Sequence, residues 1–292
     1  YVRWAQEFAD ALTDRYEYPF CMPLTAEQTR EYVATDDYYG GFYDPDAMAL
    51  HPLNYALGLA NAAADQGVRI FENSRVTGYT QTDPAVVSTA KGSVKAMHVV
   101  LGCNGYLGDL EPRSAGKIMP INNFMLATEP LEEERAKELI RGRYGIHDTR
   151  FVVNYYRLSE DNRLLFGGGE NYRPGFPQDI SKFVRRYMLR VFPQLGDVGI
   201  DYAWGGTLSV TVNRLPHFGR LEPNVWLAQG YSGHGIPTAN FAGKVVAEAI
   251  AGVAGRFDAF ASLPTYTFPG GTWLRYPGMV LGMLYFGLKD RF

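Results

Sequence analysis

Apolar positions near the start of the chain recur at helical spacing. Trp4, Phe8, Ala11 and Leu12 fall on one face of an amphipathic helix over 2–16. Thr25 then opens a short helix with Glu27 and Gln28 in its first turn. Residues 38–43, Tyr38-Tyr39-Gly40-Gly41-Phe42-Tyr43, read as a strand with a glycine bend, closed by Asp44-Pro45. From Pro52 the pattern is helical again, with Leu53, Leu57, Ala60 and Ala64 on one face and Gly67 as the stop. Val68-Arg69-Ile70-Phe71 is expected as a strand. Further strands are expected over 76–80, 86–90 and 96–101, with turns at Asp83-Pro84 and Lys91-Gly92. Helix, strand, antiparallel ribbon and returning strand together predict the interior of an α/β domain.

Between Ile121 and Phe166 alternation predominates, as in Phe151-Val152-Val153-Asn154-Tyr155-Tyr156 and Leu164-Leu165-Phe166, interrupted by a helix over 131–140. Another helix covers 181–192 and ends at Pro193. This stretch predicts a mixed sheet with helices on one side, a second domain interleaved with the first. Gly167-Gly168-Gly169 follows a strand pattern, but Pro174-Gly175 marks a turn there and no helix follows.

Composition narrows the class. A chain of 292 residues that is 46% hydrophobic is neither disordered nor a disulfide-stapled miniprotein, and it holds two domains. The net charge of −3 gives no electrostatic footprint for nucleic acid or an anionic membrane. Cys21 and Cys103 are the only cysteines, which suits a reducing, cytoplasmic setting; Cys103 reads as a buried packing thiol. His51, His98, His147, His217 and His234 show no paired metal-ligand spacing, so no metal is expected. The apolar tail from Tyr276 to Leu288, broken by Pro277, Gly278, Gly282 and Gly287, is shorter than the roughly 20 residues of a bilayer span. It reads as a packing helix, with a membrane-surface helix as the alternative. The chain opens at Tyr1 inside an amphipathic segment, with no signal peptide, as part of something longer would.

The stretch richest in chemistry is 224–237. A short apolar strand ends at Gly230, the loop Tyr231-Ser232-Gly233-His234-Gly235-Ile236 follows, and a helix begins near Pro237. Phe241, Val245 and Ala249, flanked by Val246 and Ile250, pack that helix on a sheet. Strand, glycine loop and helix start aim free N–H groups and a partial positive charge at one point, suited to an anionic or electron-rich ligand. The alternative is a tight connection with no ligand. The order Gly230-x-x-Gly233-x-Gly235 is not GxGxxG, and no acidic ribose clamp lies downstream, so a first dinucleotide-binding βαβ unit is absent from this chain.

In combination, Gly206-Thr207…Thr211-Val212-Asn213-Arg214-Leu215-Pro216-His217-Phe218-Gly219 and the 230–235 loop resemble the C-terminal half of the D-amino-acid-oxidase-like flavoproteins. His51-Pro52-Leu53, Asn104-Gly105-Tyr106-Leu107, Met119-Pro120-Ile121-Asn122-Asn123-Phe124, Phe166-Gly167-Gly168-Gly169-Glu170 and Phe268-Pro269-Gly270-Gly271 belong to the same pattern. The resemblance covers nearly the whole chain. It implies an α/β (α+β) protein: an incomplete glutathione-reductase-like FAD domain interleaved with a substrate domain on an antiparallel or mixed sheet. The substrate domain would take 1–46 and 113–202, the FAD domain 47–112 and 203–262, and 263–292 would form a packing tail. The GxGxxG unit would precede Tyr1.

By the same resemblance FAD is the cofactor. Gly230, Tyr231, Ser232, Gly233, His234, Gly235, Ile236 and Pro237 would wrap the flavin ring, Val76 would touch adenine through its backbone, and Asn104 and Gly105 would lie near the dinucleotide. His234 could donate to the flavin or be a surface loop residue. Tyr155 and Tyr156 are the other catalytic candidates, and they join Tyr38 and Tyr39 as aromatic walls unless all four are ordinary strand tyrosines. Asn154 and Arg214 are candidate substrate contacts, with Arg214 pairing either a substrate carboxylate or a surface acid. His51 reads as a cap or a packing residue. Trp204 borders the flavin or fills a core.

Relatives that oxidise free α-amino acids hold the carboxylate with arginines at positions that here are Leu208 and Gly233. Loss of such a clamp disfavours an amino-acid carboxylate there. The expected reaction is oxidation of a primary or secondary amine, its carboxylate remote, by hydride transfer to flavin. The imine hydrolyses to aldehyde and ammonia, and oxygen accepts the electrons as peroxide. The expected partners are a small-molecule amine and oxygen or another electron acceptor. The alternatives are a quinone-linked dehydrogenase whose 276–288 segment touches a bilayer, and an inert fragment without the FAD pyrophosphate loop.

Overall fold

A computed structural model of the chain describes residues 2–169, 171 and 175–289. Its helices are α1 (Val2–Tyr16), α2 (Ala26–Tyr32), α3 (Pro52–Asp65), α4 (Pro112–Ala115), α5 (Glu133–Leu139), α6 (Ile180–Val191), α7 (Gly235–Ile250), α8 (Gly255–Ala261) and α9 (Gly271–Lys289). Its strands are β1 (Met22–Thr25), β2 (Gly40–Tyr43), β3 (Val76–Tyr79), β4 (Ala85–Thr89), β5 (Gly92–Ala96), β6 (Val99–Leu101), β7 (Met119–Thr128), β8 (Ile146–His147), β9 (Tyr155–Leu158), β10 (Leu164–Gly167), β11 (Ile200–Val210), β12 (His217–Glu222) and β13 (Val225–Gln229). Glu170 and Pro174, named in the sequence pattern, lie outside the described residues. The chain divides into two compact units. One is built from residues up to Leu50, from Asn122 to Gly206 and from Tyr285 onward; the other from His51 to Ile121 and from Thr207 to Leu284.

The first unit is organised by a five-stranded sheet in the order β11-β7-β10-β9-β8. Side chains alternate across a strand. Phe124 and Leu126 of β7, Tyr156 and Leu158 of β9, and Leu164 and Phe166 of β10 therefore share one face, buried with Val184, Met188 and Val191 of α6. Those three helical residues recur at i, i+4 and i+7, and Asp179 caps the helix by accepting from the Lys182 N–H at 2.8 Å. Near the N-terminus, α2 begins in a capping box between Thr25 and Gln28. Trp4 and Phe8 of α1 stack with ring centroids 5.1 Å apart.

The second unit holds the sheets β12-β13-β6 and β3-β4-β5. Every residue of β13 is buried. Trp226 and Ala228 pack with Val245, Val246 and Ala249 of α7 and Phe257 of α8 on one side, and Val225 and Leu227 pack with Ala85, Val99 and Leu101 on the other. A strand covered on both faces reads as a continuous apolar run, which is why Val225-Trp226-Leu227-Ala228 shows no alternation. Pro52 at the first position and the His51 ring, which accepts from the Asn54 N–H at 3.2 Å, start α3. His51 is thus the cap that the sequence suggested.

Several local expectations need correction. Residues 68–71 form no strand: Val68, Ile70 and Phe71 are each more than half exposed, and among the described residues no strand offers their backbone a ladder. The apolar face of α3 is likewise exposed at Leu53 and Leu57, so local signals rather than burial hold that helix. The expected strand over 96–101 breaks at Met97 and His98 into the end of β5 and all of β6, which belong to different sheets. Residues 151–154 are loop because the buried Asp148 carboxylate captures the N–H groups of Arg150 and Asn154, and β9 starts only at Tyr155. Trp204 is 42% exposed, so it is no core tryptophan. Cys103 is only half-buried, although desolvation still raises its thiol pKa.

The tail forms α9, which runs through Pro277. Arg275 ties it down by donating to the Ile118 carbonyl at 2.9 Å. No helix among the described residues is long and apolar enough to cross a membrane.

Candidate functional site

Two places concentrate the chemistry, one in each unit. In the second unit β13 ends at Gln229, and the chain turns through positive φ at Gly230 (74°), Ser232 (51°) and Gly233 (96°) before entering α7. Left-handed backbone favours glycine, and the one non-glycine in the turn is compensated by hydrogen bonds. The Ser232 N–H donates to the Ser209 carbonyl at 2.9 Å, and its hydroxyl accepts from the Thr211 N–H at 3.3 Å. The His234 N–H closes the turn on the Tyr231 carbonyl at 2.9 Å.

A polar node braces this loop. Asn104 Oδ1 accepts from the Gly230 N–H at 3.0 Å and from the Ser209 hydroxyl, and Ser209 Oγ also accepts from the Gly230 N–H at 3.1 Å. The end of β6, the end of β11 and the glycine loop are therefore laced together within the second unit. Gly105 has a role of its own: a Cβ there would sit 2.5 Å from the Thr207 carbonyl oxygen and 2.9 Å from that of Leu208. Only glycine lets these backbones approach so closely.

The expected cofactor residues are thus brought together from Asn104, Gly105 and 230–237. Val76 lies apart from them on the edge strand β3. His234 is exposed and makes no capping bond, and α7 has neither a side-chain cap nor an acidic residue in its first turn. Gly233 faces open space. An uncapped start of a 16-residue helix behind an open glycine turn suits an electron-rich group, so the residues present fit the ring end of FAD. Arg214 lies in the turn after β11, exposed, with φ 62°.

Next to the node sits a buried pair that the sequence did not single out as functional. Gln229 Nε2 lies 3.1 Å from His217 Nδ1 and donates to the Ser114 carbonyl at 3.4 Å, while its own Oε1 is buried without a partner among the described residues. Burial, with a smaller contribution from Lys117, pushes the His217 imidazole down to about 4 from its ordinary 6.5. The neutral ring is the form that the fold accommodates. The stabilising effect is full above about 6.5 and declines as the pH falls toward about 4, by about 3 kcal/mol in total. Urea unfolding at pH 7 and pH 4 should show the native chain losing about that much more stability than His217→Gln. Equal losses would refute the assignment.

In the first unit the sheet face opposite the core carries Asn123, Met125, Tyr155, Arg157, Leu165 and Gly167 by alternation. Tyr155 pairs with Gly167 across the ladder, and its ring covers the space where a Cβ on Gly167 would sit. Its hydroxyl bonds the Asn123 side-chain amide. Burial raises its pKa to about 12, so the phenol stays neutral. A Cβ on Gly205 would meet the Phe124 ring, so alternation sets Trp204 on the same open face as Tyr155.

Tyr155 and Tyr156 do not share a face. Tyr156 points into the core, stacks on Phe166 and donates its hydroxyl to Tyr38 at 3.1 Å; burial raises its pKa strongly. Tyr39 is 83% exposed and joins neither group. Asn154 is committed to Asp148, which accepts from its Nδ2 at 2.8 Å, and Asp148 also binds Arg150, whose guanidinium reaches Asp37 at 2.8 Å. The reach from Arg150 to Asp37 left no sequence signal, because the two lie 113 residues apart.

Comparison with known proteins places this geometry. The family description "FAD dependent oxidoreductase" (DAO) matches residues 2–249. The chain is similar to gamma-glutamylputrescine oxidoreductase of Escherichia coli (strain K12), with 46% identity over 92% of this chain and 63% of that protein. It is also similar to the probable oxidoreductase OrdL of Rhizobium meliloti (strain 1021), with 38% identity over 97% of this chain and 66% of that one. The chain therefore spans about two-thirds or less of the length of these relatives. Among solved structures, glycine oxidase from Geobacillus kaustophilus superposes with a TM-score of 0.72 at 19% identity, covering 85% of this chain and 68% of that one. L-proline dehydrogenase from P. horikoshii gives 0.70 at 21% identity, covering 86% and 70%. The mixed α/β fold is that of these flavoenzymes, the family's cofactor is FAD, and the chain belongs to the DAO family of FAD-dependent oxidoreductases.

Proposed function

We propose that the chain serves the FAD-dependent oxidation of a primary or secondary amine, with a gamma-glutamylputrescine-like compound as substrate. The reading rests above all on the loop 230–237, uncapped at the start of α7 and braced by Asn104 and Ser209, in a chain 46% identical to a gamma-glutamylputrescine oxidoreductase. Bound FAD supplies a two-electron acceptor for the hydride leaving the amine's α-carbon. The second unit holds that cofactor: Asn104 and Ser209 fix the loop, and the α7 dipole favours negative charge at its start. In the first unit the uncharged side chains of Tyr155, Asn123 and Trp204 bind the organic part of the substrate. A desolvated, neutral surface disfavours an ammonium, so it lowers the pKa of a bound amine and leaves its nitrogen lone pair free.

The net reaction converts R–CH2–NH2, oxygen and water into the aldehyde, ammonia and hydrogen peroxide. Purified chain mixed with FAD is expected to retain flavin absorbance after gel filtration. Anaerobic gamma-glutamylputrescine should then bleach the flavin, and in air peroxide should form at the rate of amine loss. Failure to retain FAD, or a flavin that no amine bleaches, would overturn the proposal; bleaching without peroxide would replace oxygen by another acceptor.

A further inference from the structure

The geometry points to a subsite for a zwitterionic α-amino-acid head group, formed by Arg157 and Glu160 around one cavity at the end of β9 in the first unit. Arg157 follows Tyr155 by two positions on β9, so both side chains leave the same face about 7 Å apart along the strand. Beside it lies a cavity of about 300 Å³ lined by Ala49, Arg143, Arg157, Leu158 and Glu160. That volume is at the lower end of small-molecule sites, roughly 300–1,000 Å³.

Arg157 is half-buried, yet among the described residues neither it nor Glu160 has an ion-pair partner within 4.0 Å. Elsewhere in this unit cations of the sheet and its loops are matched: Arg163 to Asp161 and Asp201, Arg150 to Asp37 and Asp148. Arg143, the other cation at the cavity, is spent on the turn that carries Glu160. Its guanidinium donates to the Ser159 carbonyl, to the Glu160 carbonyl at 3.4 Å and to Asn162 Oδ1 at 3.1 Å. Glu160, itself exposed, is therefore carried on a braced turn and lines the same cavity as Arg157.

Arg157 and Glu160 offer a guanidinium and a carboxylate to one ligand, and Arg143, which bonds only neutral acceptors, adds a second positive charge at the same cavity. A carboxylate meets Arg157 in a bidentate contact, and an ammonium meets Glu160. An α-amino-acid head group carries both on adjacent atoms. The position of Arg157 along the strand from Tyr155 then selects amines whose head group is remote from the oxidised carbon. The inference depends on the amine-oxidising function for its meaning, but its test does not.

The probe is gamma-glutamyl-n-butylamide, which has the head group and no terminal amine, titrated calorimetrically into the chain without FAD. Binding is expected, and Arg157→Gln should weaken it about ten- to a hundredfold, as loss of a charge-assisted bidentate contact does. Glu160→Gln should weaken it roughly three- to tenfold, and Arg157→Lys should keep part of the affinity. Melting temperatures of the variants should match the native chain. The methyl ester of the probe and its N-acetyl derivative, tested on the native chain, should each bind more weakly than the probe. No binding of the probe, equal binding by Arg157→Gln, or equal binding of the ester would overturn the subsite. A chain that binds the probe but retains no FAD overturns the function and leaves the subsite standing; FAD without probe binding does the reverse.

Discussion

Asp148→Ala is expected to destabilise the chain by about 3 kcal/mol, the largest loss from any single polar side chain in the first unit. The Asp148 side chain is 4% exposed and accepts four bonds: from the Arg150 N–H and guanidinium, and from the Asn154 N–H and side-chain amide. Removing it strands the two Asn154 donors in a buried place, where an unmade hydrogen bond costs about 1–3 kcal/mol. Arg150 loses less, because its guanidinium is 39% exposed and still holds Asp37. Asp148→Asn retains an acceptor and should lose about half as much. Urea unfolding followed by tyrosine and tryptophan fluorescence measures both. A change below about 0.5 kcal/mol for Asp148→Ala would show that water enters and satisfies the loop.

Gly105→Val is expected to cost about 3 kcal/mol in the second unit and to abolish retention of FAD. Even the first side-chain atom would approach two backbone carbonyl oxygens of β11 at 2.5 and 2.9 Å, and backbone cannot swing aside as a flexible side chain can. The strain falls one residue from Asn104, which accepts the Gly230 N–H, so the turn before α7 loses its brace. Gly102→Ala is the matched control. A Cβ there meets nothing within 4 Å, and its stability should stay within about 0.5 kcal/mol of the native chain. If the two variants unfold at the same urea concentration, the close approach at Gly105 carries no weight.

Much of this was legible before any coordinates. The strand–glycine–helix order of 224–250 needs only a buried apolar run, a flexible turn and a periodic helix face, and each is a local pattern. The cap by His51 is equally local, because Pro52 and the following helix pattern leave it one place to sit. The combination of motifs was enough to identify the flavoprotein family and FAD.

Other features had no local signature. Val68-Arg69-Ile70-Phe71 has strand composition, yet a strand exists only where another backbone supplies its ladder. Phe151 to Asn154 has strand composition, but the Asp148 carboxylate takes the Asn154 N–H at 2.9 Å. Tyr155 and Tyr156 look equivalent in sequence. Which one enters the core follows from the register of β9 against β10, where Tyr155 faces Gly167 and Tyr156 faces Phe166.

By itself the sequence determined what depends on neighbours along the chain: the helix caps, the glycine turn before α7 and the family. Tertiary structure alone decided which residues meet across distance. It joined Asn104, Ser209 and Gly230 into one node, paired Arg150 with Asp37, and lined one cavity with Ala49, Arg143 and Arg157. The physical reason is that hydrogen bonds and burial act over a few ångströms of space, whereas helix and turn preferences act over a few residues of chain.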